Sequence, residues 1–161
     1  MIGQNSMHYL YPATLHVSAS PIHIHTILGS CVAVCLYDNI HKIGGMNHFM
    51  LPLWNGQGLA SPKYGNIAIN KLVDKMVSLG CLKNSLKAKV FGGSDVLGTN
   101  TNYFNIGGRN IELAFSMLKD LNIPIISSDV GGKQGRKIKF YTFTSEVSLK
   151  YIESTANSIP H

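Results

Sequence analysis

The stretch that decides the fold is residues 22–52, IHIHTILGSCVAVCLYDNIHKIGGMNHFMLP. Residues 22–28 alternate apolar and polar side chains, the period-two pattern of a half-buried strand. Gly29-Ser30 breaks that pattern. Residues 31–37 (CVAVCLY) are a continuous apolar run rich in β-formers, which predicts a strand buried on both faces. Asp38-Asn39-Ile40-His41 reads as a turn. Residues 43–51 give a second strand, stopped by Pro52.

Upstream, residues 13–19 alternate weakly and form a candidate strand, interrupted after its end by Pro21. Downstream, LPLWNGQGLASP is loop. Ile69, Leu72, Val73 and Met76 recur at helical spacing and predict a helix from about Tyr64 to Leu79. Ser61 and Pro62 supply its start signals and Gly80 its stop. Residues 86–91 form a strand ending at Gly92-Gly93, and Ser94 to Phe104 reads as a polar, Asn-rich exposed loop. A second helix is expected from about Arg109 to Leu121, with Ile111, Ala114, Phe115 and Leu118 on one face. Residues 123–130 form a strand, a glycine loop follows, and residues 137–144 and 146–152 read as a closing hairpin. Strands outnumber helices and come in hairpins, so the expected class is α+β, a layered β-sandwich flanked by two main helices.

The length of 161 residues suits one domain over 1–161, with a core of about 8–150 and a short C-terminal tail. A composition of 45% hydrophobic and 14% charged residues argues against disorder. The net charge of +6 raises nucleic acid as a partner. However, the basic residues are scattered, and the one cluster, Lys133, Arg136, Lys137 and Lys139, has no aromatic stacking motif with it. The expectation is a basic surface that favours acidic partners. Three cysteines, Cys31, Cys35 and Cys81, give an odd count without framework spacing, which predicts a reducing compartment. The first residues lack the pattern of a secretory signal, and no apolar run approaches the ~18 residues of a membrane span. A soluble, cytoplasmic monomer is expected.

The chemistry centres on the Gly-Ser-Cys turn. A tight turn before a strand can aim backbone N–H groups at one spot while holding a thiol at an edge, as an acyl-transfer nucleophile needs. A histidine must reach that thiol to take its proton. With a four-residue turn at 38–41, Tyr37 faces Lys42 and Cys31 lies directly opposite His48. The alternative is that Cys31 is a small core residue and His48 a satisfied strand histidine, and the spacing alone leaves both open.

Gly29-Ser30-Cys31 and Gly44-Gly45-Met46-Asn47-His48-Phe49-Met50-Leu51-Pro52 resemble the signature of the CheD family of chemoreceptor glutamine deamidases. Lys89–Ser94, Asn105-Ile106-Gly107, Arg109-Asn110, Asp129-Val130-Gly131-Gly132 and Gly135-Arg136-Lys137 follow in the family's order, so the likeness covers roughly residues 8–150. The resemblance implies a catalytic cysteine at Cys31 and a catalytic histidine at His48, with no cofactor. It also implies a threonine six positions before the cysteine. That position here is His25, and Thr26 stands one place later. Thr26 can serve from a shifted register, His25 can replace it, or the third group is dispensable. Thr26 is preferred, because a hydroxyl can orient an imidazole without competing for its proton. The implied substrates are glutamines of methyl-accepting chemotaxis receptors, with methylesterase activity on the same side chains as a further implication. The implied regulatory partner is a CheC phosphatase. The competing classes are a non-catalytic chemotaxis adaptor and a small cysteine peptidase. Cys35 is assigned to the core, Cys81 to a structural or exposed position, and His23 with His25 lacks the further ligands a metal needs.

Overall fold

The computed structural model describes residues 6–96 and 105–153. Residues 97–104 of the expected polar loop lie outside them. The described strands are β1 (Met7–Tyr9), β2 (Leu15–Ser18), β3 (His23–Leu28), β4 (Val32–Asp38), β5 (Ile43–Asn47), β6 (Lys87–Gly92), β7 (Ile125–Val130), β8 (Gly135–Tyr141) and β9 (Val147–Ile152). The two α-helices are α1 (Gly65–Ser78) and α2 (Ile106–Asp120). They form a five-stranded sheet, ordered β2-β5-β4-β6-β7, and a four-stranded sheet, ordered β1-β3-β8-β9. The class is α+β and layered, as the hairpin-rich pattern predicts.

β4 explains the layering. Every one of its residues is buried. Val32, Val34 and Leu36 pack with Ala68, Ile69, Leu72 and Met76 of α1 and with Ala114 and Leu118 of α2. Ala33, Cys35 and Tyr37 pack with Ile24 and Leu28 of β3 and with Ile138 and Phe140 of β8. The helices therefore cover one face of the five-stranded sheet, and the four-stranded sheet covers the other. An unbroken apolar run is what a strand between two layers requires.

The β4–β5 register differs from the expectation. Tyr37 pairs with Gly44 and Asp38 with Ile43, so the turn is residues 39–42 rather than 38–41. The cause is Asp38, whose Oδ1 accepts from the N–H groups of Ile40 (2.8 Å) and His41 (3.3 Å). Lys42 closes the turn in the left-handed region at φ 57°. Counted from the Val32–Phe49 bridge, His48 lies beside Ala33, and Cys31 beside Met50. The correction amounts to two residues, so the side chains keep their faces but Cys31 and His48 stand diagonally.

β5 also stops at Asn47 instead of running to residue 51. Asn47 Oδ1 accepts the Val34 N–H (2.8 Å), replacing a main-chain partner. Beyond it the Val32–Phe49 bridge continues the pairing, while His48 N–H bonds to the Thr14 carbonyl and Met50 N–H to that of Lys63. α2 starts three residues earlier than Arg109. Asn105 caps it by accepting from Gly108 N–H (2.9 Å), and Gly107-Gly108 carry no side chain to show the helical period. β8 ends at Tyr141, because Ser145 at φ 66° turns back to donate to the Tyr141 carbonyl. The short β1 was not expected; three residues pair in parallel with His23, Ile24 and His25.

Candidate active site

Cys31 lies between the end of β3 and the start of β4. The neighbouring loops hold its backbone. The Cys31 carbonyl accepts from Gly93 N–H and the Gly29 carbonyl from Ser94 N–H, each at 2.9 Å. Gly92 and Gly93 have φ of 108° and 73°, and a Cβ on Gly92 would collide with the Cys31 carbonyl. Only glycine allows that approach. The thiol packs at the margin of the cluster between the sheets and is half-buried. Burial pushes its pKa up, so the resting group is the neutral thiol.

His48 is 2% exposed and faces the same inter-sheet layer, on the side of the strand that carries Met46. Its Nδ1 is 2.7 Å from the Thr26 hydroxyl oxygen. That hydroxyl also donates to the Leu10 carbonyl at 2.6 Å. Thr26 has one proton, and a carbonyl can only accept, so the proton goes to Leu10. His48 Nδ1 must therefore be the donor to Thr26. This fixes the tautomer, leaving Nε2 with a lone pair. Among the described residues Nε2 has no hydrogen-bond partner. Burial lowers the imidazole pKa to about 4, so it is neutral at physiological pH. The imidazole is thus neutral, with Nε2 free and making no hydrogen bond to the Cys31 sulfur, and it lies on the face of the sheet that carries that thiol; a neutral imidazole is the form that can accept a proton.

Thr26 and His25 separate cleanly. Thr26 is fully buried and points inward with Ile24 and Leu28. His25 stands on the opposite face of β3, its ring edge-on to Tyr9 at 5.3 Å. Its pKa is lowered by partial burial and then by Lys137 and Lys139. The geometry brings Thr26 to His48 and takes His25 away from it.

Cys35 is fully buried, and burial raises its pKa far above the ordinary thiol value. Cys81 is buried near Asp38 and pushed up to about 11, first by burial. His23 stacks on Tyr141 at 4.5 Å. Among the described residues no group of three or more His, Cys, Asp and Glu gathers as a metal site.

Sequence reasoning named Asp129 and Asn110 only as parts of motifs, and Arg136 only as part of a motif and of a basic cluster. Arg136 is 3% exposed and points inward from β8. It donates to Asp129 (2.8 Å) and to Ser94 Oγ (2.7 Å), and Ser94 donates to the Gln134 carbonyl (2.6 Å). The network ties the loop after β6 to the loop after β7, beside an open cleft of about 570 Å³ lined by Asp129, Lys133, Gln134, Arg136 and Tyr151. An arginine in the inward phase of Arg136, Ile138 and Phe140 was the signal available for it. Asn110 is fully buried on α2 and donates to the carbonyls of Ser30 and Met50, each at 3.0 Å.

The CheD chemotactic sensory transduction family matches residues 50–151. The chain is 51% identical over 142 residues to the probable chemoreceptor glutamine deamidase CheD of Trichlorobacter lovleyi, covering 88% of each chain. It is 48% identical over 148 residues to the protein of that description in Sulfurimonas denitrificans, covering 91% of this chain and 95% of the relative. The chemoreceptor glutamine deamidase CheD of Halalkalibacterium halodurans is 39% identical over 153 residues, covering 91% and 94%.

Proposed function

The chain belongs to the CheD chemotactic sensory transduction family, and on that premise we propose that it deamidates glutamines of methyl-accepting chemotaxis receptors through Cys31, His48 and Thr26. His48 Nε2 takes the Cys31 proton as the sulfur attacks the carboxamide carbon of the substrate glutamine. A C–S bond forms, and the oxyanion is met by backbone N–H at the Gly-Ser-Cys turn. The imidazolium gives its proton to the departing nitrogen, the C–N bond breaks, and ammonia leaves a thioester. The same imidazole then activates water, which attacks the thioester; the C–S bond breaks, and glutamate and the thiol are released. Thr26 holds the imidazole in the tautomer that serves both halves.

The observation that carries this reading is the pairing of His48 Nδ1 with a hydroxyl already committed to Leu10. The receptor substrate rests on the names of the relatives, and action in the cytoplasm follows from it. A CheC-type phosphatase as regulatory partner rests on the family resemblance.

The test measures ammonia release from a receptor cytoplasmic fragment by the wild-type protein and by Cys31→Ala. Release confined to the wild type is expected. New chain termini would make the protein a peptidase, and binding without either product would make it an adaptor.

A further inference from the structure

We propose that Asn110 is the positioning residue that aims the Cys31 backbone N–H at the oxyanion; this rests on the acyl-transfer reading above. The peptide bonds are all trans among the described residues. In a trans peptide the carbonyl of one residue and the N–H of the next point in opposite directions. The Ser30 carbonyl and the Cys31 N–H share one such plane. Asn110 Nδ2 holds that carbonyl at 3.0 Å from α2, on the helix side of the five-stranded sheet. The Cys31 N–H therefore points away from Asn110, and the Cys31 thiol and His48 belong to the opposite, inter-sheet face.

Two further observations point the same way. The Cys31 N–H makes no hydrogen bond among the described residues, whereas its own carbonyl is taken by Gly93 N–H and the next N–H, of Val32, by the Phe49 carbonyl. Asn110 also donates its second proton to the Met50 carbonyl (3.0 Å), two residues after His48. Both contacts are to carbonyl oxygens, so the donor assignment of the amide is fixed by chemistry. One amide thus holds the Ser30 carbonyl in a clamp whose other jaw is the Met50 carbonyl. Its Oδ1 is buried without a partner among the described residues, so the side chain's hydrogen bonds all serve this clamp.

The test separates an oxyanion role from a merely structural one. Alkylation of a thiol by iodoacetamide needs the thiol and its base but no oxyanion donor; deamidation needs all three. Asn110→Ala and the similarly sized Asn110→Leu are compared with wild type for kcat and KM of ammonia release and for the pH profile of Cys31 alkylation. The proposal predicts a fall in kcat of about 100-fold, the effect of losing one oxyanion donor. KM and the alkylation profile stay at their wild-type values. A kcat near wild type, or kcat and alkylation falling together, would overturn it. The wild-type protein gives a reading free of folding defects: the Cys31 amide resonance, followed by NMR, shifts downfield when a glutamine-mimicking peptide aldehyde adds to the thiol. An unshifted amide in that adduct overturns the proposal whatever the variants do. A wild type that releases no ammonia from any receptor fragment removes the reading beneath it instead.

Discussion

Replacing Thr26 by valine keeps the side-chain volume and removes both the donor to Leu10 and the acceptor for His48 Nδ1. The imidazole loses its fixed tautomer, so deamidation is predicted to slow by about 100-fold or more, the low end of a general-base contribution. The Leu10 carbonyl is left buried and unpaired, which costs about 1–3 kcal/mol and lowers the melting temperature. Thr26→Ser restores the rate, and His25→Ala, altered on the outer face, leaves it near wild type; steady-state ammonia assays on all three check this. If His25→Ala were the slow variant, the tautomer argument would be wrong. The pH dependence follows from His48. Its folded pKa of about 4 lies below the ordinary 6.5, so the unfolded chain takes up the proton first. Stability is then fully present above the unfolded pKa and falls as pH drops from 6.5 toward about 4. At about 1.4 kcal/mol per unit the loss from this group is about 3 kcal/mol. Urea denaturation of wild type and His48→Gln between those pH values should show the slope in the first and a reduced slope in the second. Catalysis should persist down to about pH 5 and fail as the base protonates.

The elements that the sequence made legible are those with an uninterrupted side-chain period. β3 and β4 were readable because alternation and a solid apolar run report directly on one buried face and on two. What escaped was governed by hydrogen bonds that no period records. Asp38 shifted a turn by one residue and so moved the register by two, Asn47 ended β5 early, and Asn105 began α2 at glycines. The residues of the site were legible for a related reason: a slip of two keeps Cys31 and His48 on one face, whereas a slip of one would have parted them. Choosing Thr26 over His25 could not be made firm from spacing, because it depends on which face of β3 is inward. Asn110 was unreadable, since it acts across 80 residues of chain. The loop after β6 carries its own prediction. Gly92→Ala puts a methyl group against the Cys31 carbonyl in a left-handed conformation. That variant should melt lower and lose deamidation and Cys31 alkylation together, as read by calorimetry and thiol labelling.

For the whole molecule, the layering brings chemistry to one seam. Thr26 comes from the four-stranded sheet, while Cys31 and His48 flank strands of the five-stranded sheet, so the candidate site closes only when the two sheets pack. No described helix is long and apolar enough to cross a membrane. The net charge of +6 predicts that docking to acidic receptor helices weakens as salt rises, because exposed charges beyond about 8–10 Å are screened at physiological ionic strength. Titration calorimetry at low and high salt checks this, and a salt-independent affinity would exclude steering by charge. The central claim is that Cys31 turns receptor glutamines into glutamates. Its most direct test is peptide mass spectrometry of a receptor cytoplasmic fragment after incubation with wild type and with Cys31→Ala. The account predicts the mass gain of an amide turned acid at particular glutamines, with the wild-type protein alone. Unchanged glutamines with wild type, or the same gain with Cys31→Ala, would contradict it.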